Sequence, residues 1–355
     1  MKDVRKLFNI SHVNKLRLKT VILIALLWTI IDLVIVLLRT DNQPRNTSFW
    51  FREGIMFLVS FVMGYLFVYR LRKMSRRYPL WLSFLIKSII LLGSAFVLTF
   101  IIQYANSIFI LNLDPQKAFG LIEAYALHKN WLLQKIIYWM IIFFVTQLIL
   151  IINEKYSPGV FLDILAGRYI NPKIEKRIVM FIDLKDSTPI AEKLGHAQYF
   201  EFIRDFIYRV SQALIEFDAT IYQYVGDEVV CSWLFEGRNT RKCLGAVIEC
   251  RKNIQTKSEH FRRKYGIVPE FRVGIHVGEV TVGEIGVIKK DLAMSGDTMN
   301  TTARIRSACN ELNHHFIVSK DFVDNIDLQK WQTESLGMVE LKGKGRSIEL
   351  FTLKI

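Results

Sequence analysis

Four long apolar runs fill the first 152 residues, and they restrict what this chain can fold into more than anything else in it. They are TVILIALLWTIIDLVIVLL (about 20–38), GIMFLVSFVMGYLFVY (54–69), LWLSFLIKSIILLGSAFVLTFII (80–102) and WLLQKIIYWMIIFFVTQLILII (131–152). A helix needs roughly 20 apolar residues to cross the hydrocarbon of a bilayer. The expectation for residues 1–152 is therefore an all-α transmembrane bundle of four helices, with the second run the shortest. The mean hydropathy of the whole chain, +0.24, fits a protein in which only one part is soluble.

The charge pattern orients these spans. Of the net +14, about +12 lies in the first 155 residues and about +2 in the rest. Basic residues cluster between Lys2 and Lys19 and again between Arg70 and Arg77. Such clusters favour the cytoplasmic side, so four spans place both the amino terminus and everything after Asn153 in the cytoplasm of a multi-pass plasma-membrane protein. A basic excess confined to the apolar half argues for a lipid bilayer as partner and against nucleic acid. Asp32 and Lys87 sit inside spans, where a charge needs a partner or a route to the headgroups. They either pair with each other, or Lys87 snorkels outward. The segment 103–130 reads as an outer loop able to hold a sensory ligand that nothing in it names.

Residues 153–177 form a linker, with breaks at Pro158-Gly159 and Asn171-Pro172 flanking a short amphipathic helix. From 178 to 355 short strands alternate with helices. Strands are expected at 178–183, 220–225, 229–234, 271–276, 279–283, 292–295, 316–319 and 349–353, and helices near 198–217, 240–265 and 298–311. Cys231, Cys243, Cys250 and Cys309 form no CxxC pair, so they read as reduced, buried thiols rather than as a zinc site.

Two acids stand out in this second half. In RIVMFIDLKDST, period-2 geometry puts Val179, Phe181 and Asp183 on one face of a strand and Ile178, Met180 and Ile182 on the other. Asp183 then ends the strand, and Ser187 or Thr188 caps a helix whose first residue is Pro189, leaving backbone amides placed for an anion. In IYQYVGDEVVCSW, Gly226-Asp227 marks a hairpin turn and displays a second carboxylate. Such turns are common in any protein, and the chemical reading rests on the two acids together, as hard ligands for divalent cations that also recruit phosphates. In MSGDTMNTTARIR, Asn300 and Arg304 share a helix face at i, i+4. In ELKGKGRSIELF, Lys342 or Lys344 lies in a basic, Gly-rich turn.

FIDLKDST, YVGDEVV, FRVGIHVGEVTVGEIG, SGDTMNTTARI and LKGKG, in this order over about 180 residues, resemble the catalytic domain of class III adenylyl and guanylyl cyclases. The resemblance implies a multi-domain protein whose membrane bundle is followed by an α+β ferredoxin-like (βαββαβ) domain, working as a head-to-tail homodimer with shared sites. It implies two Mg²⁺ or Mn²⁺ ions per site on Asp183 and Asp227, Asn300 orienting the ribose, Arg304 facing the α-phosphoryl group, and Lys342 on the triphosphate, beside the Ser187–Thr188 turn. The implied reaction is attack of the ribose 3′-hydroxyl on the α-phosphorus of ATP, giving 3′,5′-cyclic AMP and pyrophosphate. The base-reading positions depart from the family: adenylyl cyclases usually carry Lys with Asp or Thr there and guanylyl cyclases Glu with Cys, whereas this chain has Gln223 and Ala293. A glutamine amide both donates and accepts, so ATP is the favoured substrate with GTP, or both, as the alternative. A diguanylate cyclase shares only GDE with YVGDEVV and offers no counterpart of the Asn300/Arg304 helix. An inactive nucleotide-binding regulatory module is a further alternative.

Overall fold

The computed structural model describes residues 12–39, 47–71, 78–109, 111–127, 129–155, 166–236, 239–287, 291–325, 332–341, 345 and 347–354. The chain divides into two compact units near residue 156.

The first unit is all helix: α1 His12–Arg39, α2 Thr47–Tyr65 continued by a π-helical turn Leu66–Arg70, α3 Leu80–Phe109, α4 Pro115–Leu127 and α5 Lys129–Lys155. Three stretches are long and apolar enough to cross a membrane, Val13–Ile35, Glu53–Arg70 and Trp81–Phe109, while α5 offers a shorter apolar stretch, Ile136–Ile151. The expected count of four therefore stands at three among the described residues. The expected outer loop is also corrected. It is largely helical, because α3 continues to Phe109 and Pro115 starts α4 at a position where its missing N–H costs nothing.

Val21, Ile24 and Trp28 of α1 are buried while Ile22, Leu26 and Ile30 are exposed, so the helix is apolar all round, as a lipid-facing helix must be. Gly64 lets α2 approach α1 closely: a Cβ there would touch Val21 at 3.4 Å. Polar contacts tie α1 to α5 inside this apolar unit. Trp28 Nε1 donates to Thr146 Oγ1 at 2.7 Å, and the Tyr138 hydroxyl donates to Asp32 Oδ1 at 2.8 Å. Lys87 is enclosed in the bundle, 8% exposed.

The linker's expected helix falls mostly outside the described residues; residues 166–169 form turns, and β1 begins at Lys173 rather than 178. The second unit runs β1 Lys173–Leu184, α6 Ser187–Glu216, β2 Thr220–Val225, β3 Glu228–Leu234, α7 Asn239–Thr256, α8 Ser258–Tyr265, β4 Phe271–Ile285, β5 Asp291–Ser295, α9 Asp297–Glu311, β6 Phe316–Ser319, α10 Lys320–Val323, β7 Gln332–Glu340 and β8 Ser347–Lys354; α6 is two helical segments joined at a kink, where Gly195 leaves helical geometry (φ 70°, ψ 165°). The sheet order is β2-β3-β1-β4-β6-β8-β7, with β5 paired to β4. Its first four strands, with α6 between β1 and β2 and α7–α8 between β3 and β4, make the expected βαββαβ unit.

The two expected strands 271–276 and 279–283 are one strand, β4, passing straight through Gly278. The expected helix 240–265 is two, α7 and α8, and β7 was not anticipated. Alternation along β1 separates two cores, as its sequence predicts. Ile178, Met180 and Ile182 pack with Phe202, Phe206 and Val210 of α6 and with Cys243 and Val247 of α7. Val179 and Phe181 join Val230, Val280 and Met294 on the opposite face, against Met299 and Ala303 of α9. All four cysteines are buried and free.

Candidate active site

Asp183 belongs to the α9 side of the sheet. It is the last residue but one of β1, opposite Arg272 of β4, and it is directed away from the helical core of α6 and α7. The chain then turns through Asp186, which takes a left-handed conformation (φ 57°) and makes no side-chain cap bond. Helix α6 starts at Ser187, not at Pro189 as expected, so Ser187 and Thr188 form its first turn and leave the amide donors of that turn without a side-chain cap. Ser187 is half-buried and Thr188 exposed. Lys185 of the same turn is committed elsewhere, to Glu270 at 2.8 Å.

Asp227 occupies the β2–β3 turn behind Gly226, whose φ of 61° suits glycine. Its Oδ2 is enclosed and has no hydrogen-bond partner. Buried polar atoms are ordinarily satisfied, and an exception is commonly functional. Asp183 and Asp227 are near enough to act on each other electrostatically, and both act on the Tyr199 hydroxyl, whose pKa is pushed up first by burial, then by Asp227. A side-chain hydrogen bond with Ser187 works against that rise, which places the α6 start beside the two acids.

The acids carry a neighbour and a counter-ion that the sequence reading passed over. Glu228 follows Asp227, and Arg306 of α9 reaches both Asp183 and Glu228. Its Nη1 donates to Asp183 Oδ2 at 3.1 Å, and its Nε lies 2.9 Å from Glu228 Oε2. The second contact is a close ion pair out of line for a hydrogen bond, since neither atom is satisfied as donor or acceptor. The three side chains are 24%, 17% and 13% exposed for Arg306, Asp183 and Glu228. Burial raises the pKa of Asp183 and of Glu228, and the Arg306 charge only partly offsets it. Arg272 also draws Asp183 downward, while its guanidinium donates to Asn310.

These residues fit a divalent cation. An enclosed carboxylate oxygen without a partner beside a second carboxylate is a hard oxygen donor set. Among the described residues no group of three or more His, Cys, Asp or Glu comes together as a ready cage. A site limited to two protein carboxylates suits an ion that keeps waters and takes phosphate oxygens.

Asn300 and Arg304 lie on α9, both exposed, whereas Arg306 is half-buried. At about 100° per residue, Arg306 points roughly 120–160° around the helix from them. The face that meets this chain's own acids thus excludes Asn300 and Arg304. Gln223 is exposed on edge strand β2, opposite Val230, and Ala293 is half-buried on β5, opposite Gly283. Lys342 and Lys344 lie outside the described residues.

A profile of the adenylate and guanylate cyclase catalytic domain matches residues 171–354, more than half of the chain. The chain belongs to that family. Over 207 residues the chain is 31% identical to Adenylate cyclase 2 of Rhizobium meliloti (strain 1021), covering 58% of this chain and 57% of that protein. Over 216 residues it is 23% identical to an adenylate cyclase of Anabaena cylindrica, covering 57% and 42%. The chain therefore spans less than two thirds of the length of these curated relatives. A solved structure of a bacterial light-regulated adenylyl cyclase matches with a TM-score of 0.55 at 17% identity, over 64% of this chain and 67% of that one, a likeness of fold.

Proposed function

We propose that the protein is a membrane-anchored adenylate cyclase that converts ATP to 3′,5′-cyclic AMP and pyrophosphate, working as a homodimer with two shared sites on the cytoplasmic side of the plasma membrane. The observation that carries this reading is the division of labour on α9. Asp183 and Asp227 sit on one side of the helix with an unsatisfied carboxylate oxygen, while Asn300 and Arg304 face away from them into solvent. A second copy of the domain, turned head to tail, supplies what one chain lacks.

Asp183 and Asp227 hold Mg²⁺ or Mn²⁺, two ions per site by family resemblance; when bound, the cations supply positive charge against the triphosphate and make the ribose hydroxyl more acidic. The uncapped first turn of α6, with Ser187 and Thr188, accepts phosphate oxygens on its amides. From the partner, Asn300 orients the ribose, Arg304 neutralises charge developing at the α-phosphoryl group, and Lys342 binds the leaving pyrophosphate. Reaction by in-line displacement draws mainly on such positioning and charge neutralisation.

Gln223 supports a second reading. Its amide pairs with adenine or, flipped, with guanine, and Ala293 adds no hydrogen bond to discriminate. A guanylate or dual-specificity cyclase is therefore the alternative. Incubation of the purified protein with ATP or GTP and Mg²⁺ or Mn²⁺, with chromatographic identification of the product, separates these outcomes. Cyclic AMP as the main product supports the proposal; cyclic GMP overturns the substrate. No cyclic product from either nucleotide, or turnover unaffected by Asp183→Asn, overturns the enzyme reading.

A further inference from the structure

Arg306 is positioned as a counter-ion, and its place is dictated by the backbone. The amide nitrogen and Cα of Arg306 pass over Gly274 of β4 so closely that a Cβ on Gly274 would lie 2.5 and 2.8 Å from them. From that base the guanidinium spans two strands, meeting Asp183 at the end of β1 and Glu228 at the start of β3. One delocalised, permanently charged fork thus serves two carboxylates whose pKa values burial has raised. Asp183 is at once the carboxylate held by Arg306 and one of the two acids suited to a divalent cation. A guanidinium on its Oδ2 and a dication on the same carboxylate repel each other across a poorly screened, part-buried space.

We propose that Arg306 is a resident counter-ion that closes the acid cluster, and that its guanidinium must give up Asp183 before the site takes a divalent cation. This inference rests on the metal-site reading of Asp183 and Asp227. Asp227 Oδ2, enclosed and without a partner, is the oxygen from which loading starts, because Arg306 does not occupy it. Asp183 completes the site only when its ion pair opens. Glu228, adjacent to Asp227 but held by Nε, keeps the released guanidinium within the cluster rather than in solvent. Arg306 acts through Asp183 and is a gating residue, not a catalytic one.

The test is Mn²⁺ titration of the full-length protein in detergent without nucleotide, followed by the electron paramagnetic resonance signal of free Mn²⁺. Arg306→Gln is expected to tighten Mn²⁺ binding at least tenfold. Because that change alone leaves buried Glu228 without its cation, the decisive variant is Arg306→Gln with Glu228→Gln. The double variant keeps the formal charge of the cluster, and its fold is checked by thermal melting; it too should bind Mn²⁺ at least tenfold more tightly than wild type. Unchanged or weaker binding in the folded double variant overturns the proposal. Asp227→Asn separates the two levels of argument. If it abolishes Mn²⁺ binding and the Gln variants do not tighten it, only the gating role falls. If it leaves Mn²⁺ binding as in wild type, the metal-site reading falls and takes the gating role with it.

Discussion

Gly274→Ala is the smallest change that tests whether the seating of α9 on the sheet governs turnover. Gly274 pairs with Phe181 of β1 and, in parallel register, with Ile317 of β6, so it cannot move independently of the central sheet. An added Cβ would sit 2.5 Å from Arg306 N, 2.8 Å from its Cα and 2.9 Å from its Cβ. Those atoms are mostly backbone, not the free end of a flexible side chain, and ordinary contact begins near 3.4 Å. Helix α9 must therefore lift by about 1 Å, at an overpacking cost of roughly 1–3 kcal/mol. Against a typical domain stability of about 5–15 kcal/mol the fold survives, with the melting temperature lowered by roughly 2–12 °C. The helix that lifts carries Asn300 and Arg304, and a misplacement of about 1 Å costs on the order of 10²-fold in rate. On the proposed function, the expected result is thus a folded protein whose cyclic AMP production at saturating ATP and Mn²⁺ falls about a hundredfold. Activity within threefold of wild type would refute the reasoning, because it would mean that the register of α9 over β4 does not set the geometry of the outward-facing Asn300 and Arg304.

Stability in metal-free buffer should respond to pH with opposite sign at two acids. Asp183 has a folded-state pKa raised mainly by burial, so its charge costs stability at neutral pH and that cost disappears as pH falls through the raised value; the melting temperature of Asp183→Asn should exceed wild type most at pH 7–8 and converge with it in acid. For Asp205, burial is outweighed by hydrogen bonds from Tyr265 and His260 and by Lys264, and its pKa is lowered; Asp205→Asn should destabilise the protein at neutral pH, and the difference should vanish as pH falls below about 4. Burial pushes the Cys309 thiol up to about 12, and the other three thiols are raised as well; Ellman's reagent at pH 8 should find no reactive thiol in the native protein and four after denaturation. Tyr138→Phe removes the hydrogen bond to Asp32 and should cost the membrane unit about 0.6–2 kcal/mol, read as earlier thermal unfolding in detergent; an unchanged midpoint would remove that contact from the account of the bundle.

How much of this was legible beforehand depended on whether the signal was local. β2 and β6 fall where expected because turn residues and β-branched runs bound them. The parity of β1, with Asp183 on the face of Val179 and Phe181, follows from a two-residue period alone. β7, QTESLGMVE, was missed because an edge strand is polar and this one contains a glycine, so it lacks the apolar alternation of a buried strand. β4 was read as two strands because Gly278 looks like a break; the structure uses it to admit Thr298, whose hydroxyl donates to the Glu279 carbonyl. Asp114-Pro115 carried a helix-start signature, yet α4 was read as loop because its flanks look like an outer connection. Arg306 lies in ARIR two residues after Arg304, with no sequence feature that marks it as part of a site. Its partner Asp183 lies 123 residues away, and no local pattern announces an ion pair that only the stacking of α9 on β1 and β4 creates.

The acid cluster also bears on the proposal that two chains share each site. Three part-buried carboxylates with Arg306 as the guanidinium that contacts two of them, and with Asp227 Oδ2 and Glu228 Oε2 left without a hydrogen bond, is an arrangement that well-packed apolar residues would surpass in stability; its cost is intelligible if the cluster serves a ligand. On the proposed function that ligand needs a second chain, because the helix that covers the cluster turns Asn300 and Arg304 outward. Complementation tests this directly. On the proposed function, Asp183→Asn removes a metal ligand but keeps the outward pair; Arg304→Ala does the reverse, and neither homodimer should turn over. In a C2 dimer the sites are equivalent, so an Asp183→Asn/Arg304→Ala heterodimer contains one site assembled from two unaltered halves and one carrying both lesions. Random pairing at equal amounts makes about half of the dimers hetero, each with one of two sites intact, so the mixture should recover about a quarter of wild-type activity. Co-purification with two different tags isolates the heterodimer and should raise that to about half. Recovery near zero, with both chains folded and paired, would mean that Asp183 and Arg304 do not serve one site across the interface.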